Sequence, residues 1–481
     1  MNLGNTDSLE ILLSHRLKNS DSSRIAIVNS AESCTWEALS AKISTFSERY
    51  HALFCAGKNN PLVIHGHKEI DFVAAIYACL LNKVPFIPVD NIYPESRLND
   101  ICELSKASHV YRAAENRFEQ RADEAVTLEE QNLAYIMFTS GTTGKPKGVQ
   151  IGRECVFNLM LWMKEQLNLS APNVFMNQAP FAFDLSMYEI FGNLAYGGTM
   201  VLNSRSDIHN PETWLDFLNH NQISTWVSTP SFAMQQLMNP KFNQTTLPSL
   251  KEFLFCGEKL NKQVVGLLFQ KFPDARVINS YGPTEATVAT TYIDITREMM
   301  DAEDDLPVGY PVLNSTISIE NEEICISGIH VMRGYLNNPE ENSKRLLVSD
   351  TRTYKTGDYG FFKDNMLYCK GRADEQIKLN GYRIELSEIE EKMLSLKTFG
   401  FDHAAVIALK RSTGAVLRLV AFYTSPNDEK ADEILLKTKL EEILPPYMIP
   451  SEFIKINAIP VSTNHKTDKK ALLQKYQNGE F

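Results

Sequence analysis

The apolar, strand-like run Tyr135-Ile136-Met137-Phe138 empties into Thr139-Ser140-Gly141-Thr142-Thr143-Gly144-Lys145-Pro146-Lys147-Gly148, a stretch of hydroxyl groups, glycines and lysines. This segment constrains the chain more than any other. Glycines allow positive φ and close approach of the backbone to an anion, while hydroxyls, backbone N–H groups and ammonium groups supply donors. A polyphosphate cradle needs that chemistry. The spacing excludes the P-loop, which puts four residues between its first Gly and its Gly-Lys-Ser/Thr; here Gly141 and Gly144-Lys145 are too close and Pro146 follows. A lone glycine-rich loop could equally be a solvated basic turn, but a run of this length and composition argues for the cradle. Beyond it, Val156, Leu159, Met160, Met163 and Leu167 recur at helical spacing. The loop is therefore expected to join a strand to a helix, a junction where phosphates bind.

The rest of the chain reads as α/β. Residues 61–65 are strand-like, 70–81 helix-like and 84–89 strand-like again, which predicts layered strands and helices. At 481 residues the chain exceeds what one hydrophobic core usually supports. Leu386, Ile389, Met393 and Leu396 predict an amphipathic helix, and strand-like runs at 404–409 and 415–423 flank Ser412-Thr413-Gly414. A boundary near Asp374 divides residues 1–373 from residues 374–481, and the tail from Gln474 is expected to fray.

Composition removes several classes of function. A formal charge of −11 argues against a nucleic acid partner, which needs a basic surface. The eight cysteines form no C-x-x-C pair, so reduced thiols are expected rather than disulfides or zinc. The N-terminus lacks the basic and apolar regions of a signal peptide, and the longest apolar run, 72–81, is too short to span a bilayer. A cytoplasmic protein without membrane insertion is expected.

Further polar, glycine-bearing segments lie between apolar runs, where sites usually sit. They are Phe183-Asp184-Leu185-Ser186, Asn279-Ser280-Tyr281-Gly282-Pro283-Thr284-Glu285, Tyr354-Lys355-Thr356-Gly357-Asp358, Gly371-Arg372 with Gly381-Tyr382-Arg383-Ile384-Glu385, and Asn464-His465-Lys466-Thr467-Asp468. Each alone could be a turn. In this order after the loop, they resemble the adenylate-forming, AMP-binding enzyme superfamily over residues 90–470. The resemblance implies an α/β fold, with a large multi-subdomain N-terminal adenylation domain (1–373) and a small mobile α+β C-terminal lid (374–481).

It also implies a two-step reaction. A carboxylate attacks the α-phosphate of ATP, releasing pyrophosphate, and a thiol then takes the acyl group. The carboxylate is already ionised, so the first step needs alignment and relief of charge rather than a base. By motif match, Thr139, Ser140, Gly141, Thr142, Thr143, Gly144 and Lys147 would hold phosphates, and Glu285 would associate with Mg²⁺, which prefers hard oxygen ligands. Asn279, Ser280, Tyr281, Gly282, Pro283 and Thr284 would border the adenine, and Asp358 with Arg372 would take the ribose. Lys466 would stabilise charge in the transition state. One departure is His465, where the family usually has glycine; histidine tolerates positive φ better than most residues. Asp374 occupies the hinge position.

Asp184 matches the aspartate that pairs with the α-ammonium group in amino-acid-activating members; the alternative is a helix-capping role. The remaining pocket positions are Leu185, Tyr188, Val227, Leu254, Cys256, Ser280, Val288 and Ala289, an uncharged lining with little room. Phe183-Asp184-Leu185-Ser186, Phe255-Cys256-Gly257-Glu258 and Tyr281-Gly282-Pro283-Thr284-Glu285-Ala286-Thr287-Val288-Ala289 narrow the resemblance to the D-alanine–D-alanyl carrier protein ligase family. There the cysteine favours the D enantiomer; an inert buried thiol is the commoner role for cysteine. Tyr188 and Ser280 depart from that branch. No Gly-Gly-x-Ser motif follows Lys466, so a phosphopantetheinylated carrier protein acting in trans is expected.

Three functions compete. The first is a ligase loading a small amino acid, D-alanine before L-alanine, glycine, serine or proline, onto a carrier. The second is an acyl-CoA synthetase, against which Asp184 argues, and the third is a nucleotide-binding scaffold without chemistry. Lys466→Ala is expected to abolish amino-acid-dependent ATP–pyrophosphate exchange, and near-normal exchange would remove its catalytic role. Asp374→Pro is expected to impair thioester formation more than adenylation, and equal loss of both in parallel assays would count against a hinge.

Overall fold

A computed structural model describes residues 7–19, 22–53, 60–122, 128–141, 146–171, 173–302, 305–372, 376–379, 381–411, 415–426, 430–460 and 467–481. The chain forms two compact units. The larger comprises Met1–Asp90, Leu104–Phe138 and Gly148–Ala373, and the smaller comprises Asn91–Glu103, Thr139–Lys147 and Asp374–Phe481.

In the larger unit, a nine-stranded sheet has six neighbouring parallel strands: Ile25–Val28, Thr199–Leu202, Val174–Asn177, Thr225–Ser228, Glu252–Phe255 and Arg276–Tyr281. Antiparallel strands border them on both sides. Their residues read Val174-Phe175-Met176, Thr225-Trp226-Val227 and Glu252-Phe253-Leu254-Phe255, all buried, because a parallel sheet is covered on both faces. A seven-stranded sheet is built around Leu62–Gly66, Phe86–Asp90 and Leu133–Thr139. The expected helix is present as Ile70–Leu81, and it is buried nearly all round. A helix apolar on every face belongs in a core, which accounts for the apolar run 72–81. Among the described residues, no helix is long and apolar enough to cross a membrane. A five-stranded antiparallel sheet, including Arg352–Lys363 and Met366–Arg372, completes the unit's sheets among the described residues.

One local expectation fails. The loop after Thr139 leads into a second strand, Lys147–Gly152, hydrogen-bonded beside Leu133–Thr139, and the helix starts only at Arg153. Val149 and Ile151 are β-branched and buried there, and they pair with a sheet before Gly152 turns the chain. The helical spacing from Val156 to Leu167 does appear, as the helix Arg153–Trp162 followed by a wider turn over Met163–Leu167.

In the smaller unit, the helix Leu386–Ser395 buries Leu386, Ile389 and Met393 against a sheet of His403–Lys410, Val416–Thr424 and Glu452–Lys455. The link between the first two strands at 412–414 lies outside the described residues. The tail is more ordered than expected. The helix Lys469–Gln477 buries Leu472, Tyr476 donates to Glu452 Oε2 at 2.6 Å, and the Phe481 ring sits 5.1 Å from that of Phe422. The Tyr476 and Phe481 rings, both against Phe422, supply the apolar contacts that the polar sequence after Gln474 conceals.

Candidate active site

The strands ending at Asn177, Ser228, Phe255 and Tyr281 are parallel neighbours, so their carboxyl ends share one edge of the sheet. Open α/β sheets bind ligands outside such an edge. Val227 lies beside Leu254, and Leu254 beside Ile278, while Cys256 follows Phe255, the partner of Asn279. Leu185, Tyr188, Val227, Leu254, Cys256, Val288 and Ala289 belong to one buried apolar cluster. These residues of the predicted substrate lining come from four separate segments of the chain.

Two polar contacts shape it. The Ser280 hydroxyl donates to Thr291 O at 2.8 Å and stands 2.7 Å from the Tyr188 hydroxyl, which supplies the proton for that second bond. Burial first, then the nearby Cys256 and Asp184, holds the Tyr188 phenol protonated far above its ordinary range. The Cys256 thiol donates to Val288 O at 3.7 Å. Asp184 opens a short 3₁₀ turn, Asp184–Ser186, and is buried. It does not cap the helix Met187–Tyr196 with its side chain: Ser186 occupies the cap without a side-chain bond, and the Ser186 hydroxyl donates to Phe183 O at 2.8 Å.

The segment after Tyr281 is strained. Thr287 and Val288 have φ of 54° and 68°, in the left-handed region that β-branched residues avoid. Several bonds hold them there. Thr287 Oγ1 donates to His330 O at 2.6 Å, Ala289 N to Thr287 O at 2.8 Å, and Thr290 N to Tyr281 O at 2.8 Å. The strand end and the returning chain pass so closely that a Cβ on Gly282 would stand 2.4 Å from Val288 O. Pro283 and Thr284 follow, leading to Glu285, which is fully buried rather than a surface acid. Its Oε1 accepts the Tyr335 hydroxyl at 2.6 Å, and its carbonyl accepts Met332 N at 2.8 Å. Among the described residues no group of three or more His, Cys, Asp or Glu side chains could hold a metal ion. The Glu285 carboxylate is a hard oxygen donor of the kind Mg²⁺ takes beside phosphates.

Asp358 is brought to Tyr281 and Arg372. Its Oδ2 accepts the Tyr281 hydroxyl at 2.7 Å and its Oδ1 accepts Arg372 Nη1 at 3.1 Å. Burial, and then the Asp358 carboxylate, raise the Tyr281 phenol well above its ordinary range. The Asn279 amide donates to Pro307 O at 2.7 Å, a tie its sequence did not announce.

The residues of the predicted phosphate loop, Thr139–Lys147, belong to the smaller unit. Thr139 ends its strand and Lys147 opens the next, both half-buried. Ser140 Oγ donates to Arg383 O at 2.8 Å, and Gly141 N donates to Glu388 Oε2 at 3.3 Å. Arg97 Nη1 pairs with the other oxygen of Glu388. Sequence reasoning missed Arg97 and Glu388. The available signal was a carboxylate directly before Ile389 on the helix face that Leu386 and Met393 bury. Thr142, Thr143, Gly144, Asp374 and Lys466 lie outside the described residues.

A family model described as AMP-binding enzyme matches residues 14–336. The chain belongs to the AMP-binding enzyme family. It is similar to the D-alanine–D-alanyl carrier protein ligase of Bacillus cytotoxicus, 36% identical over 452 residues that cover 86% of this chain and 89% of that protein. Among solved structures, the Vibrio cholerae adenylation domain AlmE, in complex with glycyl-adenosine-5'-phosphate, matches with a TM-score of 0.82 at 21% identity over 98% of both chains. The nonribosomal peptide synthetase protein PA1221, containing adenylation and PCP domains, matches with a TM-score of 0.81 at 22% identity, over 99% of this chain and 86% of that one. At those identities the two structures speak for the fold: a large N-terminal domain followed by a small C-terminal one. This AMP-binding enzyme is an ATP-dependent, AMP-forming ligase.

Gly282→Ala tests the close approach. The added Cβ meets backbone atoms at 2.4 Å and 2.9 Å, so the strained segment must move. ATP–pyrophosphate exchange is expected to fall by roughly 100-fold, the scale of a misplacement of about 1 Å, with an unchanged circular dichroism spectrum. Gly266→Ala, whose nearest neighbour is Met300 Cε at 3.9 Å, serves as the control with unchanged exchange.

Proposed function

We propose that this enzyme activates a small amino acid, D-alanine first, as its adenylate and transfers it to the phosphopantetheine thiol of a carrier protein acting in trans. The observation that carries this reading is a buried carboxylate, Asp184, close to Tyr188 and the uncharged side chains of the predicted lining. An α-ammonium group leaving water needs an opposite charge, and Asp184 provides one. A fatty acid has no such group, which weighs against the acyl-CoA synthetase alternative.

The lining favours a small side chain. Tyr188 is fully buried, and its hydroxyl is fixed by Ser280, so its ring cannot swing aside without breaking a buried bond. Similarity to the Bacillus ligase supports D-alanine. Glycine is the second reading, because Tyr188 restricts volume and the matched AlmE structure holds a glycyl adenylate.

In the proposed reaction, Asp358 accepts the ribose hydroxyls. Each carboxylate oxygen can accept two hydrogen bonds, so its bonds to Tyr281 and Arg372 leave capacity for them. Glu285 would hold Mg²⁺, which supplies positive charge beside the phosphates. Ser140, Gly141 and their loop would donate to the phosphates, and Lys466 would neutralise charge at the α-phosphate. Asn279, Tyr281 and Thr284 would border the adenine. The PCP domain of PA1221 supports a carrier protein as the acceptor class.

Pyrophosphate exchange over D-alanine, L-alanine, glycine, serine and proline tests the substrate. D-alanine is expected to give the highest kcat/KM, and a preference for glycine would install the second reading. Asp184→Asn is expected to cost about 3–5 kcal/mol of amino acid binding, the scale for breaking a buried ion pair. Unchanged amino acid KM in that variant, or turnover of simple fatty acids with CoA, would overturn the assignment.

A further inference from the structure

Lys68 is buried beneath the segment that delivers Asp184, and the reaction described above does not use it. Its ammonium donates to Ala179 O at 2.6 Å and to Asn177 Oδ1, and it lies 4.5 Å from the centroid of the Phe181 ring. Asn177 ends the strand Val174–Asn177, and Ala179 and Phe181 belong to the short connection from that strand to Asp184. Asn177 Nδ2 donates onward to Glu189 Oε1 at 3.2 Å, on the helix that follows Asp184. One buried cation thus reaches the strand before the connection, the connection itself and, through Asn177, the helix after it.

The base under Lys68 is fixed. His67 Nδ1 donates to Asp90 Oδ2 at 2.7 Å, and its Nε2 accepts Arg205 N at 3.3 Å. Arg205 Nη1 pairs with Asp90 Oδ1 at 2.7 Å, and Asn29 Nδ2 donates to Lys68 O at 3.3 Å. We infer that Lys68 is a positioning residue for amino acid recognition, holding the segment from Ala179 to Phe181 so that Asp184 meets the substrate's ammonium group. This rests on the amino-acid-activating function proposed above.

A buried ammonium is costly unless neighbouring groups repay it. The charged groups facing this one are Glu189, Asp90, Arg205 and Glu69. Burial pulls Lys68 down to about 7, against the opposing pull of Glu189, and burial pushes Glu189 up to about 8. Among the described residues, one oxygen of Glu189 is buried without a hydrogen-bond partner. What the buried amino group holds, through its bonds to Asn177 and Ala179, is the route to Asp184.

The test is full-length protein assayed by pyrophosphate exchange, with the amino acid and ATP each varied, for wild type, K68M and F181L. K68M is expected to raise the amino acid KM by about tenfold, a fraction of the penalty a misplaced group can carry, while the ATP KM stays within about twofold. F181L keeps apolar bulk but removes the ring beside the ammonium, and it is expected to raise the amino acid KM about threefold by weakening the cation–π contact. Folded K68M with a wild-type amino acid KM overturns the inference. So does a parallel rise in both KM values, which marks general loosening. If K68M does not fold, F181L decides on the same two criteria. A wild-type enzyme that exchanges with no amino acid sinks the functional reading itself, whereas normal wild-type exchange with an indifferent variant sinks only the role of Lys68.

Discussion

Parallel alignment of the strands ending at Asn177, Ser228, Phe255 and Tyr281 is the constraint on which the larger unit's site depends. Strands that run the same way deliver their following segments to the same edge, and antiparallel pairing would have scattered them between two. Asp184 and Tyr188 follow the first strand, Val227 belongs to the second, Cys256 follows the third, and Glu285 and Val288 follow the fourth. The cost of that alignment is a pair of covered faces, which the core around Trp214, Trp226 and Phe253 reflects.

Where the segments meet, polar groups are satisfied in ways that also set shape. Tyr188, Ser280 and Thr291 O form a chain with one proton per link, and that chain fixes a large ring among the residues of the proposed substrate lining. Thr287 and Val288 keep an unfavourable backbone because bonds to His330, Tyr281 and Ala289 over-determine it. Buried acids are handled similarly: Tyr335 donates to Glu285, Tyr281 and Arg372 donate to Asp358, and Arg97 pairs with Glu388. Each carboxylate is held in place by neighbours, so little ordering remains for a ligand to impose.

Much of this was legible from local pattern. The helix expected at 70–81 appears at Ile70–Leu81, and the face of Leu386, Ile389 and Met393 is buried as its spacing requires. Periodicity reports which face of an element is buried, and composition reports which donors a loop owns. The junction after the glycine-rich loop was misread because Val149 and Ile151 chose a neighbouring strand over an early helix, and strand partners are not encoded locally. The tail was misread because its order comes from single contacts of Tyr476 and Phe481 in an otherwise polar stretch.

The sequence by itself determined the α/β class and the family, and it supplied the side chains proposed to carry the chemistry, because those follow from contiguous motifs. Only the tertiary structure decided which of them touch. Tyr188 and Ser280 are 92 positions apart, Tyr281 and Asp358 are 77 apart, and Lys68 reaches Ala179 across 111. Such meetings depend on strand order and register, which arise from packing the whole chain at once. That is why Lys68 reads in the sequence as one more charged residue before a helix, and in the fold as the cation beneath the path to Asp184.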